Sequence, residues 1–347
     1  MGVNGLWAFL RKKCPDAFRE MTPADFLHRK LALDAAMLLT TCLKMSVRDG
    51  PQGTWLADYV SMVLHRLRGM TDSGAEVCIV LDGVAPVEKQ HVRAKRNAAH
   101  QQAERRLAIA RENGVEMEIV KALRATTRVT EPLRKLICDI AAEIGFEVVT
   151  APAEAEQYAA ELCLQGVVEG VISEDGDTLV SGARLLYRGL CSSIQKTEVV
   201  ELSVVLEQLC LTPRQFQWMA VLSGTDFHPG IPKIGPVKGS IIAANFVSDD
   251  ELLDSLDLDE ETKSGLQAAI ANFGVWSLHN VTDNSSNTQR TLQWQHADEI
   301  ANKHIAAHSA SLFGALAEQQ DFDVEAANRR IAFPHIEFEF VDAALYE

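Results

Sequence analysis

The stretch Ile172-Ser173-Glu174-Asp175-Gly176-Asp177 closes the apolar run Val167, Val168, Gly170, Val171, Ile172. An apolar run that breaks into acids and a glycine reads as a buried strand delivering carboxylates to a sheet edge. The pattern recurs. Lys30-Leu31-Ala32-Leu33 ends in Asp34, Val77-Cys78-Ile79-Val80-Leu81 in Asp82, and Leu222-Ser223-Gly224-Thr225 in Asp226. Phe146-Glu147-Val148-Val149 leads through Thr150-Ala151-Pro152-Ala153 to Glu154 and Glu156. In an open α/β sheet the working crevice lies beyond the carboxyl ends of the strands. Several acids delivered there have one economical explanation, a site for hard divalent cations.

Mg²⁺ takes oxygen ligands and keeps several waters, so one ion uses few direct carboxylates. The seven acids Asp34, Asp82, Glu154, Glu156, Asp175, Asp177 and Asp226 exceed that need. Two ions about 4 Å apart would use them all and suit in-line displacement at phosphorus. Without cations such acids repel one another. Each acid taken alone also has a structural reading, since Asp at a strand end often makes a turn or a helix cap, and Glu154 and Glu156 suit a helix N-terminus. Their joint placement favours the metal site.

The 347 residues, 47% of them hydrophobic, suffice for one large domain or two. Seven cysteines are scattered, most of them inside apolar runs, which predicts buried thiols in a reducing compartment. No apolar run reaches the length of a membrane span, and the N-terminus does not read as a secretory signal. The formal charge is −15, yet Lys89 to Lys135 holds twelve Lys/Arg against five acids, a surplus of seven positive charges that leaves 22 negative ones elsewhere. A basic stripe on an acidic chain is a footprint for a polyanion, or else a solvated helix face.

Along the chain, helices are expected over Ala35 to Met45, Trp55 to Met70, Gln90 to Asn113 and Thr130 to Ile144, with Gly114 and Gly145 as interruptions, and a helix start at Thr22-Pro23. Gln90 to Asn113 has almost no large apolar residues besides Leu107 and Ile109, so it has little to bury. Lys89 and Arg96 follow Asp82 two helical turns apart, sharing a face from which cations would meet a scissile phosphate. Gly230-Ile231-Pro232-Lys233-Ile234-Gly235-Pro236-Val237-Lys238 lies between two helical stretches, the second an apolar helix from Ile241 to Phe246. Its glycines let backbone N–H groups approach a phosphate, and Lys233 and Lys238 add charge. Met37, Met45, Met62 and Met70 read as core filler, and His304 and His308 as helix-surface histidines, because a zinc-protease motif needs Glu where Ile305 stands.

With acids, hairpin and basic helix in hand, the chain closely resembles the flap endonuclease family of structure-specific 5′ nucleases. The matching stretches are Met-Gly-Val-Asn-Gly-Leu at the start, Leu-Ala-Leu-Asp34, Val-Leu-Asp82-Gly with Lys89 and Ala-Lys95-Arg96, Ala-Pro-Ala-Glu154-Ala-Glu156, Glu174-Asp175-Gly-Asp177, Leu-Ser-Gly-Thr-Asp226-Phe and Gly-Ile-Pro-Lys-Ile-Gly-Pro. The resemblance implies an α/β nuclease core over 1–275 around a mostly parallel central sheet flanked by helices. It implies a helical arch insertion over 88–130, a helix–two-turn–helix DNA-binding element over 212–246, and a divergent C-terminal extension over 276–347.

By the same resemblance, Asp34, Asp82, Glu154, Glu156, Asp175, Asp177 and Asp226 hold two Mg²⁺, for which Mn²⁺ substitutes. Lys89 and Arg96 are the catalytic cations, and Gly2, Lys95, Gly230, Lys233, Gly235 and Lys238 contact DNA, with K⁺ at the hairpin. The implied partner is DNA with a 5′ flap or a 5′ end at a duplex junction, and the implied setting is replication and repair in the nucleus, by a monomer not bound to membrane. Three departures stand out: Thr40 where family members often carry a base-stacking aromatic, Gly230 where a hydroxyl can help bind K⁺, and no Gln-led, double-aromatic sliding-clamp motif. Two other readings remain open: a relative directed at gaps, junctions or RNA ends, and a catalytically silent nucleic-acid scaffold.

Overall fold

A computed structural model describes residues 2–21, 26–47, 55–84, 86, 89–190, 198–274, 276 and 291–317. The expected helix start at Thr22-Pro23 and the C-terminal extension beyond 317 lie outside them. The chain forms two compact units: Met1–Met37, Gly69–Ala98 and Val149–Gln289 in the first, and Leu38–Arg68, Ala99–Val148 and Arg290–Glu347 in the second.

The chain opens with α1 (Leu6–Lys13), β1 (Phe18–Glu20), β2 (Lys30–Asp34), α2 (Ala35–Ser46), α3 (Trp55–Asp72) and β3 (Glu76–Leu81). Then come α4 (Gln90–Asn113), α5 (Glu116–Thr126), α6 (Glu131–Ile144), β4 (Glu147–Thr150), α7 (Ala155–Leu164), β5 (Gly170–Ile172), α8 (Gly176–Val180), β6 (Leu185–Arg188) and β7 (Glu198–Glu201). Helices α9 (Leu202–Leu209), α10 (Pro213–Ser223), α11 (Pro236–Ala243), α12 (Asp249–Ser255), α13 (Glu260–Asn272) and α14 (Ala297–Ala317) follow among the described residues.

The seven-stranded sheet runs β1-β7-β6-β5-β2-β3-β4. β2 pairs in parallel with β3 and with β5, and β5 with β6, while β7 is antiparallel to β6 and β1. The mostly parallel α/β reading therefore holds, with an antiparallel edge. β2 is a switch point, because the chain leaves it toward β3 on one side and returns to β5 on the other; crevices open at such points. Its core positions Leu31, Ala32 and Leu33 are wholly buried, as a strand covered on both faces requires. Over the first unit's core, α7 lays Ala155, Ala159, Ala160 and Cys163, side chains small enough to seat it close to β2, β3 and β5.

Helix α10 begins with a capping box, Thr212 Oγ1 accepting from the Gln215 N–H while Gln215 Oε1 accepts from the Thr212 N–H. Its Trp218 is fully buried and donates Nε1–H to Asp249 Oδ1 at 2.8 Å, and Arg214 Nε donates to the same oxygen at 2.9 Å. Helix α11 starts at Pro236, earlier than the apolar run Ile241 to Phe246 suggests, because proline at the first helical position is already set for the helix.

In the second unit α14 packs on α6, and Phe146 meets Trp294 edge to face at 5.6 Å. Along α4, Leu107 is buried but Ile109 is 56% exposed, in keeping with a helix that has little to bury. Met70 is core, whereas Met45 is exposed, against its reading as filler. Among the described cysteines all are free; Cys14, Cys42, Cys78 and Cys163 are buried, but Cys210 is exposed.

Asp249 thus anchors the helix whose far end delivers Asp226. Replacing it with alanine strands the buried indole N–H of Trp218, and is expected to cost about 1–3 kcal/mol in urea unfolding. Hydrogen bonding from Arg214 holds the Asp249 carboxyl below the usual carboxylate range. Its stabilisation is therefore present at neutral pH and lost as pH falls through that range, so the gap between wild type and Asp249→Ala narrows in acid. A constant gap would contradict the anchor.

Candidate functional site

Parallel pairing sets Leu33 beside Ile172 and Asp34 beside Val80, so β5, β2 and β3 end level with one another. Acids stand at or just past each of these strand ends. Ser173 Oγ donates to Asp34 Oδ2 at 3.1 Å and accepts from the Asp175 N–H at 3.1 Å, joining two of them. The Ala36 N–H donates to Asp34 Oδ1 at 3.1 Å. Beyond β3, the Ala151 N–H donates to Leu81 O and the Gly83 N–H to Ala153 O, at 2.8 and 2.6 Å. Those bonds bring the start of α7 to the end of β3, where the Ala155 N–H donates to Asp82 Oδ1 at 3.0 Å. Asp175 caps α8, accepting from the Asp177 N–H at 3.1 Å. The capping and metal readings of these acids are thus compatible. Asp82 and Asp175 each commit one oxygen to a helix start, which orients the carboxylate.

Lys89 is 7% exposed and donates Nζ–H to Glu154 Oε2 at 2.9 Å and to Glu156 Oε1 at 3.0 Å. Its ammonium also lies 4.7 Å from the centre of the Phe227 ring. Arg96 donates to Asp226 Oδ2 at 2.9 Å from a half-exposed position. Both expected cations therefore reach the acids. Lys95, Lys233 and Lys238 are exposed.

The hairpin between α10 and α11 is tight. Gly230 has φ +80°, and a Cβ there would stand 2.5 Å from the Gly224 nitrogen, so only glycine fits. The Ile231 N–H returns to Leu222 O at 2.9 Å. Gly2, with φ +82°, touches the acids directly: a Cβ would fall 1.9 Å from Asp175 Oδ1.

Burial drives the electrostatics. Asp34 is pushed up to about 7, by burial first and then by the charge of Asp82, against the Ser173 hydrogen bond. Glu156 is raised well above the carboxylate range by burial and Asp175, opposed by Lys89, and Asp177 by burial, Asp175 and Asp226. Burial also raises Asp175. Neither Asp177 oxygen has a hydrogen-bond partner of normal geometry, although the side chain is wholly buried. A buried carboxylate without donors is costly unless a cation meets it.

The donors are all oxygens, which suits a hard dication over zinc. Among the described residues no three of the seven acids bring an oxygen each within 4.8 Å of one another. They line a broad site, with Lys89 between Glu154 and Glu156, rather than a closed single-ion cage.

Ser173 and Phe227 do not stand out in the sequence. Ser173 lies inside the quoted acidic stretch, but only the register of β2 and β5 shows what its hydroxyl joins. Glu174, within the same motif, turns elsewhere, accepting from the Gly189 N–H at 2.6 Å.

Residues 1–103 match the XPG N-terminal domain and residues 145–226 the XPG I-region. Flap endonuclease 1 of Ostreococcus lucimarinus is 32% identical over 268 residues, covering 75% of this chain and 69% of that protein. Among solved structures, the catalytic core of Rad2 in complex with a DNA substrate superposes with a TM-score of 0.61 at 17% identity, covering 94% of this chain and 98% of that one. Flap endonuclease-1 from Methanococcus jannaschii gives 0.57 at 22% identity, covering 90% and 93%. At such identities the two structures establish the shared α/β fold.

A carboxyl whose native pKa lies above its unfolded value makes the fold stablest when protonated. For Asp34 that stability is full below the ordinary carboxylate range and lost as pH rises through about 7. The EDTA-treated protein should therefore melt lower at about pH 8 than at about pH 6, and Asp34→Asn should shrink the difference. Equal pH dependence in the variant would remove Asp34 as its source.

Proposed function

The chain belongs to the flap endonuclease family, so it is a nuclease that hydrolyses phosphodiesters, and we propose that the carboxylates beyond β5, β2 and β3 are where it cuts DNA bearing a 5′ flap. The family uses divalent metal. Here we assign Asp34, Asp82, Glu154, Glu156, Asp175, Asp177 and Asp226 to hold two Mg²⁺, or Mn²⁺ in their place, some of them through water. Ions held there would supply activation of the attacking water and neutralisation of charge building on the phosphate oxygens. The observation that carries the assignment is Asp177, fully buried beside Asp175 and Asp226 with neither oxygen in a hydrogen bond of normal geometry.

The chain's own residues do the rest. Ser173, with backbone N–H groups at the starts of α2, α7 and α8, fixes the carboxylates in place. Lys89 and Arg96, each paired with acids, exchange those partners for the phosphate diester and stabilise its charge in the transition state. Gly2, which without a side chain packs directly against the Asp175 carboxylate, contacts the DNA beside it. Lys95 steers the 5′ strand, and 88–130 closes as an arch. The glycines Gly230 and Gly235 with Lys233 and Lys238 grip the duplex phosphates without reading sequence, with K⁺ at the hairpin. The nuclease core is 1–275 and 276–347 an extension to it. The reading carries with it action as a monomer on replicating and repaired DNA, in the nucleus. Among the described residues no helix is long and apolar enough to cross a membrane.

A second reading rests on Thr40, which stands where family members often stack an aromatic on a base. Such stacking contributes about 1–3 kcal/mol per base. Its loss favours a substrate placed by duplex contacts alone, such as a gap or a junction. A labelled panel of flap, nick, gap, four-way junction and RNA substrates, with Mg²⁺ or EDTA, decides between them. Strongest Mg²⁺-dependent cleavage of the flap supports the first reading, and of the gap or junction the second. No cleavage of any substrate leaves a silent scaffold.

Asp175→Ala is expected to lower cleavage by more than about 100-fold, since even groups one step removed from a metal cost 10–100-fold. Binding measured in EDTA should persist. Wild-type cleavage in that variant would take Asp175 out of the site. Lys238→Ala should weaken binding evenly across sequences and reduce the salt slope by about one. An unchanged slope would mean the hairpin does not meet phosphate.

A further inference from the structure

In the second unit, α6 and α14 face each other with titratable groups that the nuclease reading does not use. On α6, Asp139 and Glu143 are four residues apart and so share a face. His304 and His308 do the same on α14. The two histidines are not surface residues of a solvated helix, as the sequence pattern suggests; their side chains are 16% and 17% exposed and turn toward α6. Asp139, His304 and His308 each offer one ligand atom, and the three atoms lie within 4.8 Å of one another.

Proton positions can be read from the partners. His308 Nδ1 lies 3.0 Å from the His304 carbonyl oxygen, which can only accept, so Nδ1 carries the hydrogen. In a neutral ring, Nε2 then holds the lone pair, and it points at Asp139 Oδ2 across 3.1 Å. Two acceptors at that distance repel unless something positive lies between them. The His304 ring is placed the same way. Its Nε2 sits 2.7 Å from Glu143 Oε2, a group held below the usual carboxylate range by hydrogen bonds from Lys303 and then from His304. Nε2 therefore carries the hydrogen and Nδ1 the lone pair. A carboxylate bonded to one imidazole nitrogen, with the other nitrogen free to ligate, is the usual outer arrangement of a histidine metal ligand.

We infer that Asp139, His304 and His308 form a second metal site, for a first-row transition dication such as Zn²⁺, oriented by Glu143 and sharing no residue with the carboxylate site. Two imidazoles and one carboxylate select zinc over magnesium, and three protein ligands leave a fourth position for water. Lys135 Nζ pairs with both Asp139 oxygens, at 3.1 and 2.8 Å, and Lys303 with both Glu143 oxygens, at 2.7 and 2.8 Å. Both lysines are largely exposed, and exposed pairs contribute little, so Lys135 yields Asp139 to a dication readily. Bound zinc would clamp α14 to α6, tying the two helices together within their unit.

The test is zinc binding to the full chain, stripped with EDTA and returned to buffer with excess Mg²⁺ to occupy the all-oxygen site. Retained zinc is counted by equilibrium dialysis, and the melting temperature followed with and without Zn²⁺. Wild type should hold one Zn²⁺ more than His308→Ala and melt higher when zinc is added. Asp139→Asn and His304→Ala should likewise lose that ion. Glu143→Gln should keep it with affinity lowered about 10–100-fold. Asp175→Ala, altered only at the nuclease carboxylates, should bind it as wild type does, so this result stands or falls apart from the nuclease reading. Equal zinc content and equal zinc-induced melting shift in wild type and His308→Ala would overturn the site. A wild-type protein that takes up no zinc under these conditions would overturn it too, and assign the His308–Asp139 contact to an imidazolium ion pair.

Discussion

Mutual repulsion among carboxylates held out of water is the constraint on which the first unit depends. Asp34, Glu156, Asp175 and Asp177 are all buried at the ends of neighbouring strands, and all are pushed up by that burial. A chain under no other demand would replace them with apolar residues, since isolated buried charge is among the costliest features of a fold. This fold keeps them and restrains them. Backbone N–H groups at the starts of α2, α7 and α8 each hold one carboxylate, and Ser173 ties β2 to β5 at the same edge. Lys89 answers two of the negative charges, and Arg96 a third. Burial and neighbouring acids still leave Asp34, Glu156, Asp175 and Asp177 raised.

Much of this was legible in the sequence. Asp34, Asp82 and Asp175 each follow an apolar run that forms a strand, and strand ends in a parallel sheet collect at one edge whatever the loops do; the run before Asp226 is instead the end of helix α10. Lys89 and Arg96 were legible from their two-turn spacing. Other features depend on tertiary register and leave no linear trace. Ser173 matters because Leu33 lies opposite Ile172, a pairing between strands far apart in the chain. Met45 looked apolar enough for the core, yet it is exposed on α2, because helical phase decides burial and composition does not. The division into two units, each stitched from separate segments, follows from long-range packing that no single stretch encodes. The pair His304 and His308 was visible at helical spacing, but its partners Asp139 and Glu143 sit on a helix distant in sequence, so the pair looked bland.

Family membership and local chemistry bear on different questions. The XPG regions and the relatives establish a nuclease. The basic surplus of Lys89 to Lys135 on an otherwise acidic chain fits a polyanionic partner. The proposed role of the carboxylates is consistent with that chemistry, since they are hard oxygen donors broadly spaced beside Lys89 and Arg96. The cluster on α6 and α14 has a different donor chemistry, with imidazole nitrogen in two of three places, and so answers to a different metal.

The central claim is that the first unit's buried carboxylates are kept for a dication. The most direct measurement is the proton count when Mg²⁺ binds near neutral pH, taken by calorimetry in buffers of differing ionisation enthalpy. Carboxyls raised by burial and by one another must shed protons as the ion arrives, so net proton release is expected, and less of it in Asp34→Asn and Asp177→Asn. Mg²⁺ binding without proton release, or with release unchanged in both variants, would contradict the account.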